Sequence, residues 1–281
     1  MKEYPATTEL FLFVAIFLAA TIVIQFFYSN NRFSSPLRKI IASVVERFCN
    51  SIDFPRWLIA PGLTTNRHLK NTTLRDLIIR FKFTLFMLFL NVYTFVFTND
   101  FMSLNGRLSP VVLESLGFSY ANFSRHKWFI LITSNFIHFH APHLLVNMAM
   151  LILFCGSLEL IKGSAFAAIV YLTAMNSNIP NGIILLPMLR TYFPKLWLET
   201  IQYVDVGASL GVVGALGGLA RLLIPRARWI IMAAAVLGTI IISVYLKTLF
   251  GLDHAVSALI GYLVADYLLK LSLLEKQEAT I

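Results

Sequence analysis

An all-α, polytopic membrane protein is the fold class this sequence predicts, and three observations predict it. Of the 281 residues 58% are hydrophobic and only 13% charged, with a mean hydropathy of +0.74, more apolar surface than a water-soluble domain of this length carries. The apolar residues come in runs long enough, with their flanks, to cross about 30 Å of hydrocarbon. The Lys and Arg residues behind the net charge of +9 cluster beside those runs. That position suits setting orientation and touching anionic lipid, and it argues against nucleic acid as a partner.

Residues 1–30 are expected to be a transmembrane anchor. Their apolar run, residues 10–28, is uncharged and ends in Gln25, Phe26, Phe27 and Tyr28, unlike the small-residue cleavage site of a signal peptide. Residues 31–76 turn basic, with Arg32, Arg38, Lys39, Arg47, Arg56, Arg67, Lys70 and Arg75 against Glu46, Asp53 and Asp76, and the positive-inside rule places them in the cytoplasm. Within this loop Leu37, Ile40, Ile41, Val44, Val45 and Phe48 recur at helical spacing behind Ser35 and Pro36. They predict an amphipathic helix lying on the inner leaflet.

Residues 77–272 are read as the membrane core. Thr73 with Asp76 resembles a capping box opening a second span that runs to about Thr98, with Lys82 near its inner end. Residues 99–127 form a long outer connection with apolar pieces such as PVVLESLGF and a glycosylation sequon at Asn122, Phe123 and Ser124. The third span carries His143 and Asn147 and ends near Gly156 and Glu159; Lys162 marks the inner turn, and the fourth span covers about residues 163–176. Residues 188–206, with Trp197, Tyr192, Phe193 and Tyr203, read as an outer connection resting in the interface. The fifth span contains Gly207, Ala208, Ser209, Gly211, Gly214, Ala215, Gly217 and Gly218, so little bulk that neighbouring helices can approach closely. Arg221, Arg226 and Arg228 return the chain to the cytoplasm, residues 229–246 cross again, and residues 254–271 make the last span before a cytoplasmic tail at 273–281. Seven spans put the N-terminus outside and the C-terminus in the cytoplasm. The two cysteines, Cys49 and Cys155, form neither a disulfide framework nor a CxxC metal site.

Polar groups interrupt this hydrocarbon at one level. His143 and Asn147, four residues apart on one face of a helix over residues 144–160, lie near the outer end of the third span. Ser209 begins the fifth span and Asp253 with His254 begins the seventh, all on the outer side. A buried imidazole or amide loses several kcal/mol of hydration unless a partner replaces the water, so polar residues at this depth point to function. A Ser beside a His suggests a nucleophile with its general base, and Asn or His side chains nearby can donate to a developing oxyanion.

Three segments carrying four motif elements in order make the pattern specific. FIHFHAPHLLVNMAMLILFCGSLE resembles the His-x-x-x-Asn element and Gly-x-x-Glu helix end of the rhomboid intramembrane serine proteases, GASLG their Gly-x-Ser-Gly element, and HAVSALIG their His-x-x-Gly-x-x-x-Gly final helix. The resemblance covers roughly residues 83–271. It implies a six-helix core open to water on the outer side, to which residues 10–28 add one extra N-terminal transmembrane helix. It implies Ser209 as nucleophile, His254 as base, and Asn147, His143 and the Ser209 amide as oxyanion hole, with no cofactor. It also implies that the partners are transmembrane protein substrates within the lipid bilayer. Four positions depart from the family pattern: Leu210 and Ser257 replace glycines, Val213 stands where an aromatic ring commonly supports the imidazole, and Phe129 follows Trp128 where Arg is common. A leucine beside the serine is expected either to narrow substrate approach or to mark a divergent, inactive branch.

Other readings of the same residues carry different expectations. His138, His140 and His143, with His254, offer imidazoles of the kind that bind zinc, but no carboxylate or Cys stands at ligand spacing beside them. The small-residue helix can be a packing device alone. A catalytically inactive rhomboid-like protein that binds membrane-protein clients shares every fold feature. A transporter is disfavoured by the near absence of charge within the spans. Asp253 adjoins His254 but leaves the helix at a different angle, which favours a dyad over a triad. Nothing in the sequence specifies an oligomeric state.

Overall fold

The computed structural model describes residues 81–99, 108–223, 225–246 and 250–278. Among them every regular element is helical, apart from one isolated antiparallel bridge between Phe118 and Asp205. The expected anchor at 1–30 and the amphipathic helix of the basic segment lie outside the described residues.

Helix α1 (Lys82–Thr98) turns Phe86, Phe89, Tyr93 and Phe97 outward, three of them in a ladder of rings 5.7 and 4.5 Å apart. The long connection that follows folds into three short helices, α2 (Pro110–Leu116), α3 (Tyr120–Ser124) and α4 (Ile130–Thr133). Ser109 and Ser119 cap the first two by accepting from the backbone N–H groups of Val112 and Asn122. The Asn122 side chain is 9% exposed and its amide donates to the Glu114 carbonyl, so the sequon nitrogen is engaged inside the fold.

Helix α5 (Ala141–Lys162) starts at His140, whose Nδ1 accepts from the His143 N–H, with Pro142 in the first turn where its missing donor costs nothing. A π-helical turn at Leu151–Cys155 interrupts it. Its far end is tied down by Glu159, 2% exposed, which accepts from the N–H groups of Phe83 and Thr84 at 2.8 and 2.9 Å and from Ser164 Oγ at 2.5 Å. One carboxyl group thus takes up donors that the first turn of α1 cannot satisfy internally and joins three helices.

Helix α6 (Ser164–Tyr192) runs further than expected: after a tight turn at residues 175–177 it continues through a π-turn at Asn181–Leu185 to Tyr192. Pro180 falls in the first turn after the break, where it needs no donor, and the apolar residues beyond it sustain the helix. Amphipathic α7 (Pro194–Gln202) follows, with Arg190 stacked over Trp197.

Helix α8 (Ser209–Leu222) is buried at every residue from Ser209 to Ala220 and forms the centre of the bundle. Its glycines explain how. A Cβ on Gly217 would stand 1.9 Å from the Ala258 carbonyl oxygen, one on Gly261 1.9 Å from that of Gly214, and one on Gly211 2.4 Å from the Tyr171 ring. Backbone therefore meets backbone between α8 and α10 (Phe250–Glu278), the most extensive helix pairing among the described residues. Arg221 Nε fixes the other end of the pair by donating to Asp266 at 2.5 Å. The last helix begins one turn before His254 and runs through Glu278.

Helices α5, α6 and α10 are long and apolar enough to cross a membrane, and α1, α8 and part of α9 (Pro225–Leu246) are shorter apolar helices. Large apolar side chains, Phe89, Leu145, Trp229, Leu237 and Leu263 among them, face outward while Asn91, Asn147, Asp253 and Ser257 are buried. That distribution suits hydrocarbon as the surrounding solvent.

Candidate active site

Ser209 is the first residue of α8, so its backbone N–H belongs to the orphan donors of a helix start. The chain enters this turn through Gly207 at φ +114°, a conformation that favours glycine, with its N–H donating to the Ser134 carbonyl at 2.8 Å. A side chain at Gly207 is excluded a second time: its Cβ would stand 2.9 Å from His143 Nε2 and 3.2 Å from Asn147 Nδ2. The glycine therefore brings the backbone before Ser209 directly against the two polar side chains of α5.

His254 lies in the second turn of α10, and its Nε2 is 2.8 Å from Ser209 Oγ. The two residues are 45 apart in sequence and meet because the Gly and Ala contacts below them let α8 and α10 touch. Ser209 is 7% exposed and His254 half-buried. Asn147, 1% exposed, donates from Nδ2 to the His143 carbonyl at 3.2 Å. The His143 ring stacks on Phe139 at 5.7 Å and 22° and lies 5.1 Å from that of His138. All four residues expected from the sequence thus gather where α5, α8 and α10 meet.

The histidine cluster takes another form than a metal site. Among the described residues no three His, Cys, Asp or Glu side chains converge to hold an ion. His138 is fully buried, donates from Nδ1 to the Phe136 carbonyl, and is pushed down to about 4 by burial, so it is neutral near pH 7. His140 is spent on the helix cap.

The departures at Leu210 and Ser257 are both accommodated inside the bundle. Leu210 is 2% exposed and packs inside the bundle, since α8 begins at Ser209 and turns the next side chain into the core. Ser257, fully buried, donates its hydroxyl to the Leu210 carbonyl.

Sequence reasoning missed the groups behind His254. The buried Asp253 carboxyl accepts from the Tyr120 hydroxyl, 3.1 Å from Oδ1 and 3.3 Å from Oδ2, and from Asn181 Nδ2, again at Oδ1. Asp205, four residues before Ser209, is also buried, and burial pushes its carboxyl up to about 7. The Tyr120 phenol is raised well beyond its ordinary range, first by burial and then by Asp253 and Asp205 nearby. Two aspartates in apolar surroundings were a signal; Tyr120 and Asn181 carried none.

A family model described as the Rhomboid domain matches residues 125–276, which is 152 of the 281 residues and includes all four of the gathered side chains. No curated protein and no solved structure matches the chain significantly. With more than half of its length matched, and apolar helices of crossing length around a buried polar centre, the chain belongs to the rhomboid family, in general intramembrane serine proteases, and is an integral, multi-pass membrane protein.

Proposed function

We propose that this protein is an intramembrane serine endopeptidase that cleaves transmembrane or juxtamembrane segments of membrane-protein substrates, with Ser209 and His254 as a dyad. The observation that carries the reading is the 2.8 Å separation of Ser209 Oγ and His254 Nε2. In this reading Oγ–H donates to Nε2, Oγ attacks the scissile carbonyl, and His254 takes the proton and passes it to the leaving amine. Water then loses a proton to His254 and attacks the acyl-enzyme, restoring the serine and releasing the acid. The developing oxyanion meets the Ser209 N–H, the Asn147 amide and His143, a placement supported by the contact of the last two with Gly207. The reading assigns a Ser–His dyad, with the Asp253 carboxyl accepting from Tyr120 and Asn181.

A substrate helix hides its amides in its own hydrogen bonds, so it must unwind locally, and Gly or Pro near the scissile bond favours cleavage. The proposed topology puts the N-terminus outside, residues 31–76 and the C-terminus in the cytoplasm, and the dyad toward the outer side.

Labelling of the detergent-solubilised protein by a fluorophosphonate tests this. Modification at Ser209, lost in Ser209→Ala and in His254→Ala, is the expected result. A folded protein that stays unlabelled refutes the protease and favours an inactive, client-binding member. In substrate cleavage the double variant should lose little more than either single one, because the two groups act as a unit; additive losses count against a shared proton transfer.

A further inference from the structure

The first turn of α10 leads directly into the proposed base. Its opening N–H groups have no intrahelical acceptor, so contacts from other elements must hold it. Below His254, Ser257 and Gly261 tie α10 to α8; beside it, α9 comes so close that a Cβ on Gly251 would stand 2.3 Å from Ser243 Oγ. The remaining side is occupied by Asp253. Its Oδ1 receives Tyr120 from α3 and Asn181 from α6, residues 133 and 72 positions away in sequence.

Tyr120 also belongs to a segment that reaches the nucleophile. Two residues earlier, Phe118 exchanges both backbone hydrogen bonds with Asp205, at 2.9 and 2.7 Å, four residues before Ser209. Phe118 is fully buried, Tyr120 is 2% exposed, and their rings pack edge to face at 5.1 Å. Residues 118–120 therefore form a rigid strut with one end on the approach to Ser209 and the other on the residue before His254.

We infer that Asp253 is a positioning residue: by taking the Tyr120 hydroxyl and the Asn181 amide it fixes the first turn of α10 so that His254 Nε2 meets Ser209 Oγ. The role is geometric. Both donors share one oxygen, and an asparagine at this position keeps that oxygen, whereas alanine removes it. The inference rests on the proposed dyad, and the test separates the two.

Fluorophosphonate labelling of the full chain in detergent is followed as the maximal rate of Ser209 modification and, separately, as the probe's half-saturating concentration, both per folded molecule. A displacement near 1 Å is worth about 100-fold in rate. Asp253→Ala and Tyr120→Phe should lower the maximal rate by about 10- to 100-fold with half-saturation unchanged, and Asp253→Asn should recover most of that loss. Should Asp253→Ala fail to fold, Tyr120→Phe, which lacks only a hydroxyl, carries the test. Wild-type rates in Asp253→Ala or Tyr120→Phe, with His254→Ala unlabelled, overturn the positioning role and leave the dyad standing. A loss in Asp253→Asn as deep as in Asp253→Ala also overturns it, because charge and not geometry is then at work. Full labelling of His254→Ala removes the dyad itself and the inference with it.

Discussion

Ser257 on α10 donates its hydroxyl to the backbone carbonyl of Leu210 on α8, one residue past Ser209. The rhomboid pattern commonly has glycine at both positions, and here the Ser257 side chain meets the Leu210 backbone. A serine hydroxyl in place of a hydrogen needs an acceptor at a fully buried site, and the carbonyl beside the nucleophile provides it. Ser257→Ala keeps the approximate volume and removes the bond. The expected loss is about 0.6 to 1.5 kcal/mol of stability, read as a lowered thermal midpoint in detergent, since interhelical hydrogen bonds in membranes average near the lower figure.

The glycines of this chain divide into two groups with opposite expected outcomes. Gly217→Ala and Gly261→Ala drive a methyl into a facing backbone carbonyl, 1.9 Å away in each case, which only separation of α8 from α10 can relieve. Overpacking of this kind costs roughly 1 to 3 kcal/mol or more, and it acts on the helix pair that carries Ser209 and His254. Gly238 on α9 has nothing within 4 Å of its would-be Cβ. Gly238→Ala should be neutral or stabilise by up to about 1 kcal/mol, because alanine loses less freedom in a helix. Thermal unfolding of the three variants in one detergent decides it; equal destabilisation would contradict the close α8–α10 packing.

Asp205 makes stability depend on pH in a direction opposite to that of a salt-bridged carboxylate. Burial pushes its carboxyl from 3.8 up to about 7, so between roughly pH 4 and 7 the folded state holds a proton that the unfolded state has released. Folding is therefore favoured at the acid end of that window, weakens as pH rises through it, and levels off above about 7. Asp253 and Tyr120 are the titratable neighbours coupled to it, and Asp205→Asn removes the Asp205 titration. The thermal midpoint of wild type minus that of Asp205→Asn, measured at pH 5, 6, 7 and 8, should fall with rising pH. A difference that is flat or rises over this range contradicts the assignment.

How much of this was legible in the sequence follows from what kind of bond holds each part. His143 and Asn147 stand out by their spacing of four residues, and Ser209 and His254 by polarity within apolar spans and by their resemblance to the rhomboid motifs. Close packing around the small-residue helix was legible from its glycines, and its pairing with α10 emerges from the fold. Glu159 could be singled out as a helix end, but its acceptor role toward the N–H groups of Phe83 and Thr84 could not, because backbone donors leave no trace in residue identity. Tyr120 and Asn181 were silent for a related reason: one tyrosine among ten and one asparagine in an apolar helix gain meaning only when the fold sets them on Asp253. The extension of α6 to Tyr192 was obscured by Pro180, which breaks a helix interior but suits a first turn.

Asn147 separates a working protease from a relative that keeps only the architecture. Its Nδ2 donates to the His143 carbonyl and also faces Gly207, two residues before Ser209, so one amide has both a structural bond and a place beside the reacting centre. If it donates to the tetrahedral oxyanion, Asn147→Ala should lower turnover by about 10² to 10³, in line with removing one such donor, and leave substrate binding nearly unchanged. The effect is differential, because the amide meets full negative charge only in the transition state and a neutral carbonyl in the ground state. If it serves packing alone, the same change should lower thermal stability by roughly 0.6 to 2 kcal/mol, with turnover per folded molecule unaltered. Turnover, substrate binding and melting temperature measured on this one variant distinguish the two. A stability loss with unchanged turnover removes Asn147 from the oxyanion hole, even where the fluorophosphonate marks Ser209 as the nucleophile.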